Sequence, residues 1–262
     1  MKINKIDNNI NEIEIEVGLD EVGRGSLFGP LLVSSFLIIK INKFNPYKEL
    51  NLKDSKKLTY NQRLNLFNKI IKIIKENKEI SKIYFYFISN EIIDKINILN
   101  ANLLGFEKLI LKNLDYILKN DLIINNLDRI NYINFYIDGD KKPKDIEKNI
   151  YLKINEILES KNTLKNNLSK FQELISRIKI LNYVKGDNMI KVIQIAAILA
   201  KITRDKYIEY LAIKYPTYNS YYNIYNNKGY YEEFHIKGIK EYGITKYHRK
   251  SFLKKYFQQT LF

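Results

Sequence analysis

The chain has no cysteine, only two histidines, His235 and His248, and far fewer acids than bases, 29 Asp and Glu against 44 Lys and Arg. Without thiols there is no disulfide, no thiolate nucleophile and no Cys-ligated zinc, and two histidines are too few for a His-rich zinc site. No apolar run approaches the roughly 18 residues that span a bilayer. The opening MKINKIDNNINE holds neither the apolar segment nor the small-residue cleavage site of a secretory leader. A soluble, intracellular, cytoplasmic protein with no membrane partner is expected. No repeat at the roughly 20–50-residue periods of solenoids is evident. No linker rich in Gly, Pro or Ser divides the chain, so a multi-domain reading is not required.

What is present is ordinary globular usage: 45% hydrophobic and 28% charged residues over 262 positions. That length suffices for one α/β domain with an appended helical piece. The formal net charge of +15 draws polyanions, which makes nucleic acid the first partner to consider. A codon bias that supplies Lys, Asn, Ile and Tyr in bulk explains much of the charge equally well, so charge alone decides nothing.

Period-two alternation over IEIEVG, 13–18, marks a half-buried strand, and LLVSSFLII, 31–39, follows a glycine-rich turn as the second arm of a hairpin would. IYFYFI at 83–88, YINFYI at 132–137 and IKILNYV at 178–184 read as further strands. Helical patterns run from Tyr60 to Lys75 after the cap Thr59, from Asn90 to Leu118, and from Ile190 to Tyr210 until Pro216 ends the pattern. Short helices are expected near 232–241 and 248–257. The Lys/Asn/Glu-rich stretch 141–176 reads as a solvated helical insertion or a mobile excursion. Strands alternating with helices predict an α/β layer fold.

Four carboxylates stand out within this pattern. Asp20 and Glu21 lie in VGLDEVGRG (17–25), Asp138 in FYIDG (135–139) and Asp187 in VKGD (184–187). These are three places where an apolar run stops at an acid near glycine. Convergence at the carboxyl ends of neighbouring strands would set the acids where open α/β sheets hold ligands. An isolated Asp-Glu pair is usually a solvated surface pair. Where a strand ends, however, the backbone turns and both carboxylates come within reach of one site. Clustered oxygen ligands suit Mg²⁺ or Mn²⁺, and pairs of such ions drive in-line displacement at phosphorus. A metal-dependent nuclease is the leading expectation.

Gly23, Arg24 and Gly25 give backbone that approaches a ligand closely, with Arg24 able to grip phosphate; a tight hairpin turn is the plain alternative. A nucleotide-binding glycine loop fails on spacing, since no G-x-G-x-x-G or G-K-[ST] is present. Lys56 and Lys57 in DSKKL, and Lys185, suit phosphate contact, or are surface charge. Asp205 is expected to pair with Arg204 or another cation. The tyrosine-rich stretch from Tyr215 suits stacking on sugar or base.

Taken together, GLDEVGRG (18–25), DSKKL (54–58), IDKINILNA (93–101), IDG (137–139), KGD (185–187), AAILAKITRD (196–205), KGY (228–230) and HRKSF (248–252) resemble the bacterial-type ribonuclease HII family, type 2 ribonuclease H. The resemblance covers residues from about 15 to 253. It implies an RNase H-like fold, a mixed central sheet flanked by helices with a C-terminal helical lobe. The expected division is a catalytic domain over 1–210, with an insertion at 141–182, and a lobe over 211–262. The resemblance also implies endonucleolytic cutting of RNA in RNA/DNA hybrids and at single ribonucleotides in duplex DNA. By motif, Asp20, Glu21, Asp138 and Asp187 are the metal-binding catalytic acids, Gly23, Arg24 and Gly25 hold the junction ribonucleotide, and Tyr230 senses the ribose 2′-hydroxyl.

Ser26, Ala197 and Glu232 depart from the residues usual in the family, proline, serine and threonine, and none is a metal ligand. Arg24 between its glycines and the short N-terminus disfavour the sister family, ribonuclease HIII. A monomer is expected. The tail QQTLF (258–262) reads as a frayed terminus, with a sliding-clamp contact as its alternative. Two rivals stand beside the enzyme reading: a non-catalytic nucleic-acid-binding protein, and an RNase H-like nuclease of different substrate choice.

Overall fold

The computed structural model describes residues 10–52, 58–160 and 173–257. The alternation of apolar and charged residues gives β1 (Ile13–Val22), which buries Ile13, Ile15, Val17 and Leu19 completely. A loop over 23–30 leads to β2 (Leu31–Ile41), antiparallel to β1 from Ile13↔Ile41 to Val22↔Leu32, so the expected hairpin is present. β3 (Ser81–Ile88) pairs antiparallel with β2. β4 (Ile130–Asp138) runs parallel to β1, and β5 (Ile178–Tyr183) parallel to β4. The order β3-β2-β1-β4-β5 centres β1 and brings the carboxyl ends of β1, β4 and β5 to one edge.

α1 (Tyr60–Glu76) starts at Thr59, which forms a capping box with Gln62. The pattern expected as one helix from Asn90 to Leu118 is two, α2 (Asn90–Ile96) and α3 (Ile98–Ile117). Asn97 makes the break: it takes a φ of 66° and its Oδ1 accepts the Asn100 amide at 3.0 Å. Asparagine tolerates positive φ and caps well, so apolar periodicity runs on through a turn it does not register.

After the single turn α4 (Asp121–Ile124) and strand β4 comes α5 (Ile146–Ser160), inside the stretch expected to be solvated or mobile. Its Ile146, Ile150, Ile154, Ile157 and Leu158 are buried in the same core as β1 and β4. That spacing is one helix face, hidden in the sequence by the Lys, Asn and Glu between. The expected insertion over 141–182 likewise takes in most of β5, so this region builds the sheet and its cover.

α6 (Lys191–Lys214) is the spine of the molecule. Its first half, through Val192, Ile195, Ala196 and Leu199, packs under Phe36 and Ile38 of β2. Its second half, through Ile208, Leu211 and Ala212, joins Phe28, Tyr222 and Leu253 in a separate core. Gly18 makes the first contact possible, because a Cβ there would lie 2.2 Å from the Val192 carbonyl carbon. Ser34 Oγ adds a 2.7 Å hydrogen bond to the Ala196 carbonyl. The second core belongs to the lobe of α7 (Pro216–Tyr222), α8 (Ile224–Asn227), α9 (Glu233–Tyr242) and α10 (Lys250–Phe257). Pro216 stands just past the end of α6, as expected, and opens α7.

The lobe is tied back to α2. Asn90 Nδ2 donates to the carbonyls of Lys246 (2.8 Å) and His248 (3.1 Å). Asp94 accepts the amides of Lys250 and Ser251 at 2.9 Å each, capping α10 from a distant part of the chain. Among the described residues no helix is long and apolar enough to cross a membrane.

Candidate active site

Parallel pairing of β1 with β4 ends at Leu19↔Ile137, so Asp20 and Asp138 are the next residues on adjacent strands. Asp187 lies in the 3-10 turn Gly186–Asn188 just after β5, entered through Lys185 at a φ of 58°. The Gly186 amide donates to Asp138 Oδ1 at 2.6 Å and ties that turn to the end of β4. A cavity of about 220 Å³ opens beside these strand ends, walled by Asp20, Glu21 and Asp187 together with Arg63 of α1 and Ala197 and Lys201 of α6.

This gathering is electrostatically costly. Burial pushes the Asp20 carboxyl well above its usual range, and the charges of Glu21, Asp138 and Asp187 push it further. Burial also raises Glu21, held in check by the Arg24 guanidinium at 3.2 Å and the nearby Asn102 amide. Arg24 is half exposed, so that ion pair contributes little stability of its own. Glu21 Oε2 is buried without a hydrogen-bond partner among the described residues. Carboxylates that repel one another and leave a buried oxygen unbonded fit hard divalent cations, which supply the missing charge and take oxygen ligands. Among the described residues no three acidic or histidine side chains are already drawn in around one ion-sized point.

Beside the acids, loop 23–30 is held by two guanidinium groups that charge patterning does not single out. Arg204 of α6 is fully buried and donates to the carbonyls of Pro30 (2.9 Å), Phe28 (3.1 Å) and Lys228 (3.0 Å) and to Ser26 Oγ (2.7 Å). Arg249, also fully buried, donates through Nε and Nη2 to the Gly29 carbonyl (3.1 and 3.0 Å) and through Nη1 to that of Arg24 (2.9 Å). Burial lowers both guanidinium pKa values, that of Arg249 to about 9, with the Arg204 charge contributing. The Gly229 carbonyl accepts the amides of Leu27 (2.8 Å) and Phe28 (3.1 Å), so lobe and loop form one unit.

Tyr230 is the next residue, its ring over Lys201 Nζ (5.6 Å to the centroid) and the Arg204 guanidinium (5.4 Å). Its carbonyl accepts from His235 Nδ1 at 2.9 Å. His248 Nδ1 takes the Thr245 amide at 2.9 Å, so the proton of His248 sits on Nε2 and goes to His235 Nε2 at 3.1 Å. A chain of two neutral imidazoles thus runs from His248 to the backbone of Tyr230.

The structure therefore brings Asp20, Glu21 and Asp187 to one cavity, with Asp138 adjoining. It also sets Gly23, Arg24 and Gly25 beside them and Tyr230 over the cavity's Lys201. Lys185 is exposed at the rim of the β5 turn. Lys56 and Lys57 lie outside the described residues. Asp205 pairs with Lys201 at 2.9 Å, while Arg204 serves backbone carbonyls instead. Of the family departures, Ser26 bonds Arg204 and donates to the Gly23 carbonyl at 3.1 Å, Ala197 lines the cavity, and Glu232 accepts from Asn223 and Asn227. Arg63, Lys201, Arg204 and Arg249 were not anticipated at the site; their only signal was that all but Arg63 fall within the blocks of the resemblance.

Comparison with known proteins gives the family. The family model described as Ribonuclease HII matches residues 17–260. A Ribonuclease HII of Pelagibacter ubique is 34% identical over 92% of this chain and 96% of its own length. One of Borrelia recurrentis is 36% identical over 90% and 97%. The crystal structure of ribonuclease H2 from Pyrococcus horikoshii OT3 shares the fold, with a TM-score of 0.55 and 22% identity over 94% of this chain and 98% of that one. The chain belongs to the ribonuclease HII family and is an RNase H endonuclease that acts on RNA/DNA.

Proposed function

We propose that this enzyme cuts the RNA strand of RNA/DNA hybrids and also cuts at single ribonucleotides embedded in duplex DNA, by two-metal-ion hydrolysis that leaves 5′-phosphate and 3′-hydroxyl ends. The observation that carries the reading is the self-repelling cluster at the ends of β1, β4 and β5. There Asp20 is pressed by Glu21, Asp138 and Asp187, a state that divalent cations relieve. Asp20, Glu21, Asp138 and Asp187 are the residues that would hold Mg²⁺ or Mn²⁺. Bound ions would contribute Lewis-acid neutralisation of the phosphate and a lowered pKa for water.

The chain's own residues do the rest. The backbone of Gly23, Arg24 and Gly25, fixed by Arg204 and Arg249, grips the ribonucleotide, and Tyr230 reads its 2′-hydroxyl, the group that separates RNA from DNA. The cations Lys201 and Arg63 on the cavity wall, with Lys56, Lys57 and Lys185, attract phosphates. An Archaeoglobus fulgidus RNase HII, 22% identical with a TM-score of 0.52 over 90% of this chain and 94% of that one, was solved in complex with PCNA. We extend that to a sliding-clamp contact through Gln258–Phe262, which lies outside the described residues.

The test is one gel: duplex DNA, RNA/DNA hybrid and a duplex with a single ribonucleotide, each with Mg²⁺, Mn²⁺ or EDTA. Cutting of the last two with either ion, and none with EDTA, is expected. Cutting of plain DNA, or of the hybrid alone, would overturn the substrate assignment.

A further inference from the structure

Loop 23–30 has a second face, and Gly25 lies on it. Gly25 is exposed, its backbone is not left-handed, and among the described residues a Cβ there would meet nothing within 4 Å. Among those residues no packing or torsion demands glycine at this position. A glycine without a torsional or packing reason leaves room for backbone to approach a ligand.

Beyond it opens a cavity of about 620 Å³ walled by Gly25, Leu27, Tyr231, Phe252 and Tyr256, within the roughly 300–1,000 Å³ of small-ligand sites. The rings of Tyr231 and Tyr256 are nearly parallel, 6.1 Å apart at 22°, and Tyr231 is 58% exposed, so an aromatic face stays open to solvent. Exposed Lys250 and Lys254 stand on the helix that carries Phe252 and Tyr256. Two successive tyrosines thus serve two places: the ring of Tyr230 lies over Lys201 of the acid-lined cavity, and Tyr231 lines this one.

We propose that this aromatic cavity is a nucleoside-stacking subsite for the substrate strand. It takes the sugar and base of a nucleotide flanking the one gripped by Gly23–Gly25, while Lys250 and Lys254 meet the neighbouring phosphates. The inference rests on the function proposed above and deepens it. A nucleic-acid strand is the occupant because the cavity is continuous with the loop that holds the ribonucleotide and because the chain carries a net charge of +15. Ring faces accept any base, so the subsite adds affinity without sequence preference.

The experiment places 2-aminopurine at successive positions on either side of a single ribonucleotide in duplex DNA. Fluorescence is read on binding the full chain in Ca²⁺, and steady-state kinetics are then run in Mg²⁺, for wild type and for Tyr231→Leu and Tyr256→Leu. Wild type is expected to perturb the probe at one flanking position. Both variants should lose that signal and raise KM about tenfold, with kcat within about twofold of wild type. Wild-type fluorescence and KM in both variants would overturn the subsite. A shift in oligomeric state with KM unchanged would overturn it too, by making the face a self-association surface. Failure of wild type to cut the ribonucleotide duplex at all would instead remove the underlying function.

Discussion

The side chain of Arg204 occupies the space that a side chain at Gly23 would need: a Cβ there would lie 2.2 Å from its Nε, and Gly23 has a φ of 93°. Loop 23–30 and the spine helix are therefore fitted to one another, and the four hydrogen bonds of Arg204 join that loop to the Lys228–Tyr230 turn. Lysine keeps the charge but not the fork. Arg204→Lys is expected to cost about 2–4 kcal/mol of stability, since buried hydrogen bonds from a charged donor carry roughly 1.5–3 kcal/mol each and some are regained. Urea unfolding measures this, and a loss below about 0.5 kcal/mol would contradict the clamp.

The acid cluster costs the fold stability. A buried carboxyl whose folded pKa is raised holds its proton longer than in the unfolded chain. Stability therefore falls as pH rises from the unfolded value to the raised one, and the penalty is complete above it. Asp20→Asn should remove that penalty, raising the metal-free melting point at pH 7 by the equivalent of about 1 kcal/mol or more while abolishing cleavage. Thermal melts in EDTA check it; a lower melting point would argue that Asp20 is an ordinary satisfied core acid.

The two buried histidines give the opposite sign. Burial, and then His235, drive His248 down to about 3, and burial lowers His235 as well. Below the ordinary value near 6.5 the unfolded chain takes up protons that the folded chain refuses. Stability from this pair is whole above about pH 6.5 and drains as pH falls toward 3, with a slope of up to about 1.4 kcal/mol per pH unit for each proton. Melting points measured from pH 7.5 to 5 should fall, and His248→Asn should flatten the decline. Equal slopes in both proteins would exclude the pair as its source.

Tyr230→Phe keeps the ring over Lys201 and Arg204 and removes only the hydroxyl. Loss of a buried hydrogen bond of about 1–3 kcal/mol predicts a roughly 5- to 150-fold fall in kcat/KM on a single-ribonucleotide duplex. Unchanged kcat/KM would assign the sugar reading elsewhere.

The sheet was legible because its strands are dense in β-branched and aromatic residues, but only β4 stops at its acid: β1 stays paired with β2 through Asp20 and Glu21 to Val22, and β5 ends at Tyr183, ahead of the turn that carries Asp187. The break at Asn97 was not legible, since one residue at positive φ leaves the apolar period of its neighbours intact. Nor was the buried stripe of α5, because the residues between the isoleucines are those of a solvated segment. Arg204 and Arg249 escaped for a related reason. Apart from Ser26 Oγ, their partners are backbone carbonyls, which carry no signature in a sequence, and an arginine read without them looks like surface charge.

The central claim is that Asp20, Glu21, Asp138 and Asp187 act together as the seat of divalent cations in phosphodiester hydrolysis. Asp187→Asn, assayed in Mg²⁺ and in Mn²⁺ on a duplex with one ribonucleotide, tests it most directly. Removing one ligand should cost several kcal/mol of transition-state stabilisation, about a thousandfold or more in kcat, with duplex affinity retained. Full turnover by that variant would contradict the account.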